Sequence, residues 1–329
     1  PAGHCPGVAL GGYLLQGGFG WNGRVHGPAC LSVEAIDVVT AAGELVRADA
    51  GEHPDLFWAA RGSGPGFFGA VTRFHLRLQP LPTVVANGVY LYPADVLDDV
   101  FRWAHELGPR VPRAMELMLL THRDAAGDVE IAVTGPVLMD SEEEAREAFA
   151  PLERGDILEH ALHRECAVET DMQVEYEIQT VMNPEGHRWT SDCLWSDAPA
   201  EVLGPALRPL FTGLPNEKAF AIWYGWAPPA TRPDMAFSVE ANVYLAAYVV
   251  WEDATDDERC TTWLTETMRG LAPVGVGAYT GDTDFERRPE RFLSEESAAR
   301  LEEIRSRRDP DALFVGYPSA HAGAMSGRA

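Results

Sequence analysis

Residues 3–27 read GHCPGVALGGYLLQGGFGWNGRVHG, and this glycine-rich opening restricts the possible folds more than any other stretch of the chain. Glycine lets main-chain N–H groups come close to a large planar or phosphorylated ligand, because no Cβ intervenes. The run predicts loop and tight turn rather than a regular element. Its spacing matches neither familiar nucleotide loop: there is no Gly-Lys-Ser/Thr, and no strand precedes nor helix follows the glycines as a dinucleotide-binding turn requires. On these residues alone two readings stand, a backbone-lined ligand site and a structural glycine loop.

The 329 residues, 46% of them hydrophobic, suffice for a buried core and favour two domains. A formal net charge of −24 is repelled by phosphate backbones and anionic lipid, so neither nucleic acid nor a membrane is an expected partner. No apolar run approaches the roughly eighteen residues of a membrane span, and no signal-like segment opens the sequence. The expectation is a soluble, cytoplasmic protein, with an upstream signal segment left open. Cys5, Cys30, Cys166, Cys193 and Cys260 are odd in number and show neither zinc-site spacing nor the density of a disulfide scaffold, so no metal site is expected. The glycine motif begins by Gly3 with nothing in front of it, which suggests that the chain starts inside a domain.

Beyond the glycines, two β-branched runs at 33–40 and 44–48, parted by Ala42-Gly43, predict a β-hairpin. A helix should start around His53-Pro54-Asp55 and stop at Arg61-Gly62, and alternation at Val71, Phe74, Leu76 and Leu78 predicts a half-buried strand. After Pro82 the elements lengthen. Helices are expected at 94–107, 141–152, 256–271 and 294–307, and strands at 114–121, 129–133, 219–226 and 236–251. With no regular parallel βαβ period, the arrangement is α+β, an antiparallel sheet backed by helices.

The segments CPGVALGGY, GGFG, GPAC, VEAIDVVTA, GELVRA and PDLFWAARGSGPGFFGAVTRFHLRL, taken in order, resemble the second half of the PCMH-type FAD domain in the vanillyl-alcohol-oxidase superfamily. The berberine-bridge-enzyme-like branch is the best match. Ala299-Arg300-Leu301, Asp309-Pro310 and Leu313-Phe314 resemble that family's closing motif, which returns to the flavin domain. The resemblance implies a FAD-domain half at 1–80, a substrate-binding domain at 81–290 and a returning segment at 291–329. It also implies that the family's N-terminal half of the FAD domain, with the pyrophosphate loop and the histidine of the 8α link, lies before residue 1.

Residue by residue, the resemblance puts Cys5 where some members attach a cysteine to flavin C6; the plain alternative is a small buried cysteine. Pro6, Gly7, Val8, Gly11, Gly12, Tyr13, Gly17, Gly18 and Gly20 match the flavin-facing segment, with Tyr13 where many members have His and Val8 where a small side chain leaves room for dioxygen. Main-chain groups around Val33, Ile36 and Val38 would hold the adenine side. FAD is therefore the expected cofactor, with Cys5 as a possible covalent link.

In the middle of the chain, FSVEANVYLAAYVVW resembles the strand that supplies active-site groups, but Ala246 stands where alkaloid-oxidising members have a catalytic glutamate. Tyr244, Tyr248 and Glu240 share its face by the two-residue period, and His187, in the 186–189 turn, is a further candidate. Glu116 and His122 bracket another expected strand. Ser297 and Ala298 replace the family's Asn-Tyr, and Tyr279-Thr280-Gly281 replaces Tyr-Val-Asn. The expected function is hydride transfer from an alcohol, sugar or amine carbon of a small-molecule substrate to flavin N5, with dioxygen as acceptor. A dehydrogenase using another acceptor, and an inactive binding scaffold of the same fold, are the alternatives.

Overall fold

The computed structural model describes residues 3–317. These divide into two compact units. The first comprises the chain up to Pro80, Pro229–Val239 and the chain from Gly277 onward; the second comprises Leu81–Pro228 and Glu240–Val276. The return to the first unit thus begins at Gly277, earlier than the family pattern suggested. Pro229–Val239 is an additional excursion into it, and part of this excursion was expected to be strand.

In the first unit a three-stranded antiparallel sheet places β1 (Val33–Val39) between β2 (Leu45–Asp49) and β3 (Ala70–Leu76). The β1–β2 turn falls at the expected Ala42-Gly43, where Gly43 takes φ 77°. Two short helices, α1 (Leu10–Leu15) and α2 (Gly23–His26), form inside the glycine-rich opening, which is therefore not loop throughout. Glycine's freedom is needed only at the turns; between them α1 buries the neighbouring side chains Tyr13 and Leu14. Helix α3 (Pro54–Ala59) starts with proline in its first turn and buries Leu56, Phe57 and Trp58. The helix Glu295–Arg308 is capped by Ser294 and packs Leu301 and Ile304 into the same core as Ile36, Leu56 and Phe68.

The excursion is fixed to α3 by hydrogen bonds. Ala236 N–H donates to Trp58 O at 3.2 Å, and Phe237 N–H donates to Arg61 O at 2.9 Å. The Trp58 indole donates to Asp234 at 2.7 Å, and Arg300 Nη1 donates to both oxygens of the same carboxylate at 2.7 and 3.0 Å. These partners use the polar groups of 234–237, so the segment docks as a coil instead of extending β11 backwards.

The second unit is an eight-stranded antiparallel sheet. Its strands are β4 (Val84–Pro93), β5 (Met118–Arg123), β6 (Val129–Thr134), β7 (Val137–Met139), β8 (His163–Thr170), β9 (Arg188–Ser196), β10 (Phe220–Gly225) and β11 (Val243–Trp251). β8 pairs with one edge of β4, β6 and β7 share the other, and the sheet continues through β5, β10 and β11 to β9. Helices α4 (Leu97–Leu107), α5 (Glu142–Phe149), α7 (Ala200–Thr212) and α8 (Asp257–Leu271), with α6 (Met172–Met182) between α5 and α7 in the chain, complete the unit. One face of the sheet, including Leu119, Trp223, Leu245 and Leu194, forms a single core with Val100, Phe149, Leu203 and Leu264 of α4, α5, α7 and α8. No described helix is long and apolar enough to cross a membrane.

Candidate functional site

The glycine loop of the first unit is closed at its base by a bridge between Gly3 and Gly20. Its inner turn is tightly specified. Gly17 and Gly18 have φ 118° and 84°; their carbonyls accept from Cys30 and Ala29 N–H at 2.8 Å, and the Gly18 N–H donates to the Tyr279 hydroxyl at 3.2 Å. A Cβ on Gly18 would lie 2.8 Å from the Tyr13 ring, and one on Gly17 would lie 3.1 Å from the Phe237 ring. Only glycine fits this turn. Tyr13 is itself buried, its ring filling the space beneath Gly3 and Gly18, so it supports the loop from inside. Gly17, Gly18 and Gly20 are likewise buried.

The outer surface of the loop is different in kind. Every residue of 6–12 is exposed, including the apolar side chains Val8 and Leu10 at 54% and 53%. A Cβ built on Gly11 or Gly12 would meet nothing within 4 Å. An open apolar strip bordered by glycines, on a backbone held rigidly from behind, suits the approach of a flat ring.

Cys5 is half-buried at the edge of this strip. Burial, and then the Asp282 carboxylate, push its thiol up to about 11, so it rests protonated at neutral pH and a covalent link there needs a base to start it. Asp282→Asn is expected to lower that pKa and to speed alkylation of Cys5 by iodoacetamide at pH 8 by a few-fold (roughly 2- to 5-fold), because the thiolate fraction rises. An alkylation rate equal to wild type, measured by mass spectrometry, would refute the coupling.

The strand expected to serve the adenine side is the central one of its sheet. Ile36 and Val38 are fully buried and paired with both neighbours, Ile36 with Ala48 and Phe74, Val38 with Val46 and Val71. Val33 is buried and pairs with Leu76. A central strand spends its main-chain groups on its ladders, so in this structure the three residues hold the sheet to its core.

In the second unit the helices leave the opposite sheet face to a different set of residues. Directly opposed residues of antiparallel strands share a face, so three rows cross the sheet. Trp195, Tyr244, Tyr224 and Met118 form the first, Cys193, Ala246, Ile222 and Leu120 the second, and Ser191, Tyr248 and Phe220 the third. Tyr244 is buried with its ring 4.8 Å from Trp195, whereas Tyr248 is half-buried and stacked on Phe220 at 4.9 Å. The expected face-sharing of Tyr244, Ala246 and Tyr248 is present.

Glu240 is not on that strand, because β11 begins only at Val243 and the two-residue period does not reach it. Its carboxylate accepts the buried Trp226 indole N–H at 2.8 Å, and Trp226 packs against Tyr224 and Trp195, with ring centroids 5.9 and 6.3 Å away. Glu240 therefore borders the aromatic group without belonging to the face. His187 precedes β9 and pairs with Glu252 at 3.3 Å, beyond the end of the ladder where Arg188 meets Trp251. Eight residues of strand, about 26 Å, separate it from the row of Tyr244, so the two are not brought together.

Glu116 is fully buried just before β5, and His122, in β5, lies 3.6 Å from Glu130. Trp195, Tyr224 and Trp226 were not read as site residues. The alternation of Cys193 and Trp195 was the available signal, masked by the Gly186-His187 turn before it. Among the described residues no cluster of three or more His, Cys, Asp or Glu is gathered to hold a metal.

No family model matches the chain. It is 34% identical over 322 residues to the FAD-linked oxidoreductase janO of Penicillium janthinellum, an alignment covering 96% of this chain and 71% of the relative. Its fold is similar to that of Physcomitrella patens BBE-like 1, with a TM-score of 0.78 at 19% identity over 98% of this chain and 72% of the other. It is also similar to berberine bridge enzyme from Eschscholzia californica, with a TM-score of 0.76 at 18% identity over 99% and 71%. A continuous match at this identity over nearly the whole chain leads to one assignment: the chain belongs to the FAD-linked oxidoreductases.

Proposed function

We propose that this oxidoreductase takes a hydride from an alcohol, sugar or amine carbon of a small molecule and passes the electrons to dioxygen. The observation that carries the reading is the exposed strip of residues 6–12, apolar and glycine-bordered on a backbone that Tyr279 and Tyr13 hold from within. FAD, when bound, supplies the two-electron acceptor at its N5 position. The main chain of Gly7, Gly11 and Gly12, with Val8 and Leu10, would lie against its ring, and Cys5 would stand beside it as the candidate for a covalent link. Small side chains there leave space for dioxygen.

The second unit would hold the substrate on the face of Tyr244, Ala246 and Tyr248. With alanine at 246, no carboxylate rises from the middle of that strand, and phenol hydroxyls are its hydrogen-bonding groups on this face. Tyr244 is proposed to accept the hydrogen bond from the substrate's hydroxyl or amine and to orient it, the proton leaving to water as the adjoining C–H bond breaks.

Full-length protein should be yellow, and should keep its colour through denaturation if the flavin is covalently held. A colourless, flavin-free preparation that does not take up added FAD would overturn the reading. Peroxide formed under air in proportion to substrate consumed would support the oxidase; substrate-dependent bleaching without peroxide would assign the dehydrogenase alternative.

A further inference from the structure

Resting on the proposed function, we infer that the sheet face of the second unit selects a substrate whose body is an apolar ring system bearing the oxidised hydroxyl or amine carbon, and rejects a free saccharide. The middle of the face is carbon-rich. Leu120, Ile222 and Ala246 form one row across β5, β10 and β11, with Met118 on one side of it and the stacked Phe220–Tyr248 pair on the other. Leu120, Ile222, Met118 and Tyr248 are all half-buried, and none of them belongs to the helix-covered core. They are the part of this face still able to gain by burying a ligand, at about 25 cal/mol per Å² of apolar surface.

Polar groups in the rows beside this one already have partners. Asn87 accepts from Thr134 at 3.0 Å and donates to Glu175 at 3.4 Å, and His122 faces Glu130 at 3.6 Å. A saccharide buried on the central row would have to leave several hydroxyls without partners, each costing about 1–3 kcal/mol. An aromatic or polycyclic alcohol carries one hydroxyl, which the tyrosines can meet, and its ring can lie on Ile222 and Leu120. Ala246 contributes by being small, since a larger residue at the centre of the row would lift the ring off the sheet.

The test uses flavin-loaded full-length protein and two probes, 2-naphthylmethanol and cellobiose, titrated under anaerobic conditions. Binding is read by tryptophan fluorescence and by the shift of the flavin visible band. The expected result is an affinity for 2-naphthylmethanol at least about 100-fold above that for cellobiose. Ile222→Asn should weaken 2-naphthylmethanol about tenfold or more, in the range that pocket contacts contribute, and leave cellobiose unmoved. Cellobiose binding as tightly as the naphthyl probe, binding of neither, or an Ile222→Asn protein of unchanged preference would each overturn the inference. Leu120→Gln provides the same comparison should Ile222→Asn not fold. A protein with no flavin would remove the oxidase reading, while the fluorescence ratio would still decide what the face prefers.

Discussion

Gly62→Ala is expected to destabilise the first unit by about 3–5 kcal/mol, or to prevent its folding, while Gly11→Ala changes its stability by no more than about 1 kcal/mol. Gly62 has φ 117°, and a Cβ there would lie 2.3 Å from the Phe237 nitrogen and 2.4 Å from its Cβ. That backbone cannot retreat cheaply. Phe237 N–H donates to Arg61 O at 2.9 Å, one residue away, and Gly62 N–H donates to Leu15 O at 2.9 Å. Left-handed strain of roughly 1–3 kcal/mol therefore adds to a steric overlap of similar size. Gly11 is helical with open space around it, so alanine there is tolerated by the fold and interferes only with whatever covers the strip, which on the proposed function is the flavin. Denaturant unfolding and flavin content, measured on both variants, separate the two effects. Equal stability losses would mean that the glycine loop is a framework throughout and would remove the case for a cradle at 6–12.

Tyr244→Phe should lower kcat/KM by on the order of 10²-fold, mostly through kcat, with flavin content unchanged. The substitution keeps the ring, and with it the contact to Trp195 at 4.8 Å, and removes only the hydroxyl. A group that orients the substrate's hydroxyl for reaction affects the chemical step, so the loss should fall on kcat rather than on KM. Tyr248→Phe should do less, within about tenfold, because its ring is held by Phe220 and its share of the work is packing. A rise in KM with kcat untouched would make Tyr244 a wall of the binding surface.

Much of the first unit is written in local signals. The Ala42-Gly43 turn, proline at the start of α3 and the alternation of β3 each specify their element without help from distant residues. The second unit hides more. β8 is largely exposed and carries His, Arg and Glu where an alternating apolar pattern would announce a strand, and α7 contains Pro205 and Pro209, which a sequence reading takes as stops. β4, at the centre of three pairings, begins two residues after Pro82 and is not among the strands expected from the sequence.

The site divides in the same way. Its glycine spacing was visible, but which glycines face outward was not, because that depends on α1 forming inside the run and on Tyr13 turning inward. Likewise Tyr244, Ala246 and Tyr248 follow from the two-residue period, whereas Glu240 drops out because hydrogen bonds to α3 halt the preceding segment before it can become strand.

The Gly18–Tyr279 hydrogen bond joins positions 261 residues apart, and this separation sets a timetable for the newborn chain. A ribosome adding about 5–20 residues per second delivers the glycine loop on the order of 10–50 s before the tyrosine that fastens it. Through that interval the turn at Gly18 lacks the hydrogen bond that Tyr279 supplies. The same delay gives residues 81–228 time to pair their strands first, so the unit that is second along the sequence is the better placed to mature early.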